Sequence, residues 1–237
     1  AAKAAAVTVN FAGTVSLSNC SGSVIRFPNS ADTDPALVLT NGHCLETGFP
    51  SPGEVITGQS SSRAFGLLNS SGSKVATLRA NQVVYSTMTD TDVTIYRTTT
   101  TYAAIRSSYG ISPLTVQDTH PVAGTAIKVV SGYWKRIYSC NIDGFVYRLK
   151  EGDWTWKDSV RYTSACNTIG GTSALRSSTP PPARSSPSTT RATRTASAAP
   201  RTTPARSTRT ATSPSARAST TPRRPTTSRR ASPRATS

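Results

Sequence analysis

The chain has 237 residues, with 27 lysines and arginines against 11 aspartates and glutamates, and a formal net charge of +16 at pH 7; that length holds one large all-β domain or two small ones. The average hides a break: residues 1–173 hold 14 of the basic residues and all the acids, for a net +3, whereas the last 64 carry 13 arginines and no acid. No apolar run is long enough to cross a membrane as a helix, and the four cysteines, without CxxC spacing or a histidine-rich neighbourhood, argue against a zinc module.

Along the chain, residues 1–11 begin AAKAAAVTVN and read as a loose lead-in. Strand-length runs rich in β-branched and aromatic residues follow, separated by Gly, Ser, Asn and Pro: GTVSLSNCSGSVIRF, ALVLTNGHC, SKVATLRANQVVYS, TDVTIYRT, GTAIKVVSGYW and DGFVYRLKEGDW. Short strands between turn residues, without intervening amphipathic helices, indicate an all-β sandwich or barrel. TYAAIRSSYG, at 101–110, is the one candidate helix, of one or two turns. Cys20, Cys44, Cys140 and Cys166 fit two disulfides and so an exported protein, with four buried thiols as the alternative.

Three segments carry candidate chemistry. In LTNGHC a strand ends in a turn that presents His43 beside Cys44. In TDTDVTIY, Asp92 opens an alternating apolar strand, where a carboxylate can accept an imidazole N–H and fix its tautomer; Asp90 competes for that role. In NTIGGTS, paired glycines before Ser173 allow a sharp turn that aims main-chain N–H groups at an oxyanion. His120, the other histidine, has no chemical neighbours in sequence. Asp32 and Asp34 are loop carboxylates of the kind that hold calcium or, more commonly, simple surface turns. The aromatic stretches GYWKRIYSC and EGDWTWKDS suit either a cleft wall or hairpin packing.

In the order His, Asp, Ser these segments resemble the chymotrypsin family of serine proteases, closest to its bacterial secreted members. LTNGHC is similar to that family's TAAHC, DVTI to its DIAL and GGTS to its GDSG, over about residues 12–173. The resemblance implies two six-stranded β-barrels with the site in the cleft between them. It implies His43 as general base, Asp92 as its orienting carboxylate and Ser173 as nucleophile, with the N–H groups of Gly171 and Ser173 as oxyanion hole. It also implies the pairings Cys20–Cys44 and Cys140–Cys166, and it sets Asn167 and Thr168 at the specificity pocket. Two departures matter. Thr172 stands where trypsin-like members carry the aspartate that captures a new N-terminus, so that activation switch is not implied. Asn167 stands where trypsin has an aspartate, so specificity for Lys or Arg is not supported; Thr168 with the Gly-Gly pair looks more like the glutamyl endopeptidases.

After Ser173 the family motif should continue as Gly-Ser/Ala-Pro and supply further strands. Residues 174–237 instead have no Gly, Cys, Val, Ile or aromatic residue, and Leu175 is their single large apolar side chain; such a segment buries too little to order itself. One reading is an authentic Ser/Thr/Pro/Arg-rich disordered tail. The other, favoured reading is a single deleted nucleotide near Ser173. Restoring the frame allows a continuation SGAPVIDPATGKVVAVNNTGNEDGERC, in which the Ser177-Ser178 and Ser185-Ser186 pairs become VI and VV. The second barrel is then incomplete in the 237-residue chain, which is expected to fold poorly and to be weakly active or inactive. The expected function is a secreted, monomeric serine endopeptidase acting on protein or peptide through an acyl-enzyme, with no cofactor, metal or membrane partner. The alternatives are a protein that grips nucleic acid or anionic cell wall through its basic tail, or a non-catalytic protease-like domain. The tail has no aromatic residue for base stacking, so nucleic acid is expected to bind it only non-specifically.

Overall fold

The computed structural model describes residues 9–169 and Thr172. The expectations placed on residues 1–8, on Gly171 and Ser173, and on the tail at 174–237 lie outside the described residues.

The chain is built almost wholly of strands: β1 (Thr14–Ser16), β2 (Ser21–Arg26), β3 (Pro35–Thr40), β4 (Val55–Ile56), β5 (Gln59–Ser60), β6 (Ala64–Leu68), β7 (Lys74–Thr87) and β8 (Val93–Thr101). A single helix, α1 (Tyr102–Tyr109), comes next. Then follow β9 (Leu114–Thr115), β10 (Ala126–Ser131), β11 (Arg136–Glu151) and β12 (Trp154–Tyr162). The helix is as short as its sequence predicts. The Thr101 hydroxyl accepts the Ala104 N–H at its start, and Gly110, at φ +64°, ends it in the left-handed conformation that glycine tolerates.

Six strands close into an antiparallel barrel in the order β1-β2-β3-β8-β7-β6, with β6 returning to β1. Alternation sets their inward faces. Along β8 the residues Thr94, Tyr96 and Thr98 are buried, and along β3 Ala36, Val38 and Thr40 are. Val15, Val24, Val38, Phe65, Leu67, Val83 and Tyr96 fill the interior, and Tyr102 and Ile105 of α1 join the same core. β4 and β5 lie on β7, and β9 runs parallel to β2.

β10, β11 and β12 form a separate antiparallel meander, with a bulge between Ile142 and Gly144. Ile127, Val129, Tyr138, Ile142 and Val160 make its core around the Cys140–Cys166 disulfide. The fold is thus all-β and chymotrypsin-like, a complete first barrel with three strands of a second among the described residues.

The β10–β11 turn docks on the barrel. Ser131 Oγ lies 3.1 Å from Ser21 Oγ, which also accepts the Tyr133 N–H. Between them Gly132 has no room for a side chain, since a Cβ would sit 2.7 Å from the Val15 carbonyl oxygen. Both disulfides form, Cys20–Cys44 and Cys140–Cys166, and no described cysteine is a free thiol.

Candidate active site

His43 sits at the exit of β3, in a 3₁₀ turn over Gly42–Cys44. The turn is closed by Cys44 N–H to the Asn41 carbonyl at 3.1 Å and Leu45 N–H to the Gly42 carbonyl at 3.0 Å. The disulfide from Cys44 to Cys20 ties it to the start of β2. Asp92 lies one residue before β8, the strand that pairs with β3, so neighbouring strands in one barrel deliver both side chains.

Asp92 is 3 % exposed. Its Oδ2 receives His43 Nδ1 at 2.7 Å and Asn41 Nδ2 at 3.1 Å, and its Oδ1 receives the His43 main-chain N–H at 2.9 Å. A carboxylate in this position only accepts, so the imidazole proton belongs on Nδ1 and the ring's basic lone pair on Nε2. The His43 side chain is 34 % exposed, whereas that of Asp92 is 2 % exposed. An imidazole oriented in this way is equipped to take a proton from a hydroxyl on Nε2 and return it to a leaving group.

The two aspartates differ in position. Asp90, with φ at +64°, turns away and pairs with Lys157 Nζ at 2.6 Å, while its main chain bonds Thr155 and Lys157 of β12. Thr168 bonds Tyr162 through their hydroxyls at 2.9 Å, and Asn167 is exposed. Thr172 is buried, and both its N–H and its hydroxyl reach the Ile169 carbonyl, at 3.2 and 2.5 Å. Ser173 and Gly171 lie outside the described residues, so the geometry joins two of the three predicted side chains and leaves the third unplaced.

Two groupings go beyond the sequence reading, which offered the EGDWTWKDS stretch as a cleft wall but did not single out Phe49 or a partner for His120. Phe49 lies edge-on to the His43 ring, with centroids 6.3 Å apart, and edge-on to Trp154 at 5.8 Å, while Trp154 Nε1 donates to the Pro50 carbonyl at 2.9 Å. Trp156, from the same stretch, packs instead in a small core with Met88. No periodicity marks Phe49, which stands in a Gly- and Pro-rich loop. The second grouping is around His120, which gains neighbours that the sequence did not suggest: it bonds Asp158 at 2.8 Å and lies tilted against Phe145, with centroids 4.3 Å apart. A cavity of about 590 Å³ opens there, with Asp90, Asp118 and Lys157 also on its wall and neither His43 nor Asp92.

The loop carboxylates proposed for calcium have protein partners. Asp32 receives Arg106 on both oxygens, at 2.7 and 2.9 Å, and Arg26 at 2.9 Å, while Asp34 accepts the Ala31 N–H at 2.7 Å. Arg106 first, then Arg26, hold the Asp32 carboxyl at about 2 rather than its ordinary 3.8. These are turn and helix anchors. Cys20 and Cys44 lie close to His43, but their sulfurs are joined to each other and offer no thiolate to a metal.

The trypsin-like peptidase domain family matches residues 20–174, more than half of the chain. The chain belongs to the trypsin-like peptidase family. The matched span begins at Cys20 and includes the turn of His43, the strand entrance of Asp92 and the Gly-Gly-Thr-Ser segment. Among solved structures, the MamO protease domain from Magnetospirillum magneticum, in its apo form, aligns over 70 % of this chain and 79 % of its own, at 13 % identity and a TM-score of 0.45. No curated protein matches the chain. Among the described residues of this trypsin-like domain, no helix is long and apolar enough to cross a membrane.

Proposed function

We propose that the chain is a serine endopeptidase that hydrolyses protein or peptide substrates through an acyl-enzyme. His43 takes the proton of the Ser173 hydroxyl as Ser173 attacks the scissile carbonyl, and later donates it to the leaving amine. Asp92 fixes the imidazole with its proton on Nδ1 and stabilises the imidazolium that forms. The N–H groups of Gly171 and Ser173 receive the oxyanion, and Asn167 and Thr168 border the pocket for the substrate side chain. The protease domain spans 12–173, and two disulfides suit secretion into an oxidising environment. No step calls on a cofactor.

The observation that carries this reading is the buried Asp92 carboxylate with three donors on it, two of them from His43. Such a carboxylate is costly to bury merely to hold a turn, and its geometry is the one a general-base histidine needs. The chain as it stands should react slowly with a fluorophosphonate, gaining mass on Ser173. One extra nucleotide at the Ser173 codon, restoring the frame, should accelerate that reaction. Ser173→Ala should abolish it in either version, and His43→Ala should slow it by on the order of a thousandfold or more. Absence of any mass gain on Ser173 in both versions would sink the proposal.

A further inference from the structure

Arg63, immediately before β6, is 8 % exposed, and among the described residues it forms no ion pair with a carboxylate. Its acceptors are all neutral. One guanidinium nitrogen donates to the main-chain carbonyl of Cys44 and to the Tyr96 hydroxyl at 2.9 Å, and the other donates to Asn19 Oδ1 at 2.5 Å. The guanidinium also lies 5.7 Å from the centre of the Tyr96 ring. Burial pushes the Tyr96 phenol above its ordinary 10.0, against the pull of Arg63, so the hydroxyl stays neutral and gives the cation no countercharge.

A buried cation with no carboxylate in contact is expensive, and its hydrogen bonds must justify its place. Those bonds go to three segments that meet behind His43. Asn19 lies in the turn between β1 and β2, next to Cys20. Cys44 follows His43 and ends the 3₁₀ turn, where the last carbonyls lack partners within the turn and a cation is favoured. Tyr96 lies on β8, four residues beyond Asp92, with its hydroxyl buried in the barrel. One planar fork therefore ties the end of the His43 turn to the strand that follows Asp92. Lysine, a point charge with a tetrahedral set of donors, does not reproduce a fork.

We infer that Arg63 is a positioning residue for His43, clamping the Cys44 carbonyl to Tyr96 so that the imidazole stays on Asp92. The inference rests on the reading of His43 as general base, and Arg63 itself touches no reacting atom.

The test uses the full 237-residue chain labelled with ¹⁵N in its histidine rings, as wild type, Arg63→Met, Arg63→Lys and Tyr96→Phe. The readout is the low-field proton that His43 Nδ1 holds on Asp92. Arg63→Met should broaden or erase that resonance while amide dispersion persists, Arg63→Lys should restore part of it, and Tyr96→Phe should shift it less. Fluorophosphonate labelling of Ser173 should slow by about tenfold to a hundredfold in Arg63→Met, the scale of a displacement on the order of an ångström. An unchanged His43 resonance in a folded Arg63→Met overturns the inference. Should Arg63→Met fail to fold, the same resonance unchanged in both Arg63→Lys and Tyr96→Phe overturns it equally. A wild type that shows the His43 resonance but takes no label on Ser173 counts against the endopeptidase reading alone, and the clamp is still judged by the resonance.

Discussion

A Cβ placed on Gly42 would lie 2.2 Å from the Thr87 carbonyl oxygen, 2.9 Å from Met88 and 3.0 Å from Asp92 Oδ1. The nearest of these is backbone of β7, so no rotamer change makes room, and the turn itself has to retreat. The residue that retreats with it is His43, whose N–H is bound to Asp92 Oδ1 at 2.9 Å. Gly42→Ala should therefore destabilise the fold by about 1–3 kcal/mol, the usual cost of overpacking, and lower the denaturant midpoint accordingly. A midpoint equal to wild type would mean that the turn has slack the close contacts deny. At this scale His43 and Asp92 were legible, because a turn histidine and a strand-entrance aspartate came in a recognisable order. The choice of Asp92 over Asp90 rested on the resemblance of DVTI to the family's DIAL, since both aspartates stand at the same strand entrance. Arg63 carried no signal at all: a guanidinium with three neutral acceptors looks, in sequence, like any surface arginine.

At the scale of elements, α1 is fastened to the loop between β2 and β3 by one exposed carboxylate. Asp32 accepts from Arg106 of the helix and from Arg26 at the end of β2, while its carbonyl receives the Ala103 N–H at 2.8 Å. Because the folded carboxyl is depressed, to about 2 from 3.8, its contribution to the fold is full above pH 3.8 and is lost as pH falls through about 2. Solvent screening keeps that contribution small. The expected observation is a carbon-detected NMR titration of Asp32 with its midpoint near 2, moving up towards 3.8 in Arg106→Met. A wild-type midpoint already at 3.8 would show that the pair does not persist in solution. The strands themselves were largely legible, because alternation over runs such as ALVLT and VTIYR matches a half-buried pleat. Two features escaped. The β11–β12 hairpin packs Trp154 on the loop after His43, and His120 meets Asp158 across elements; both depend on how distant segments meet, which local periodicity does not encode.

Over the molecule as a whole, the two sheets differ in what holds them. The barrel closes on itself and leaves no strand edge among its six strands, whereas among the described residues β10 has one side unpaired and β12 is met on its far side only by the Asp90 main chain, at Thr155 and Lys157. An open edge and the exposed Tyr147 of β11, at 79 %, mark a sheet that relies on something else for its stability. The Cys140–Cys166 disulfide supplies part of it: with a separation of 26 residues, such a closure is worth roughly 3 kcal/mol in the chain-entropy account. Mild reduction of the 237-residue chain should therefore release the meander first. Amides of β10, β11 and β12 should lose their exchange protection while those of Val24, Val38 and Tyr96 in the barrel keep theirs. In a chain read in the restored frame after Ser173, the added strands should pair with those edges, and the two sheets should lose protection together in one transition at a higher denaturant concentration. If the meander is as protected as the barrel in the 237-residue chain after reduction, its edges are already covered, and the frame reading loses its structural motive.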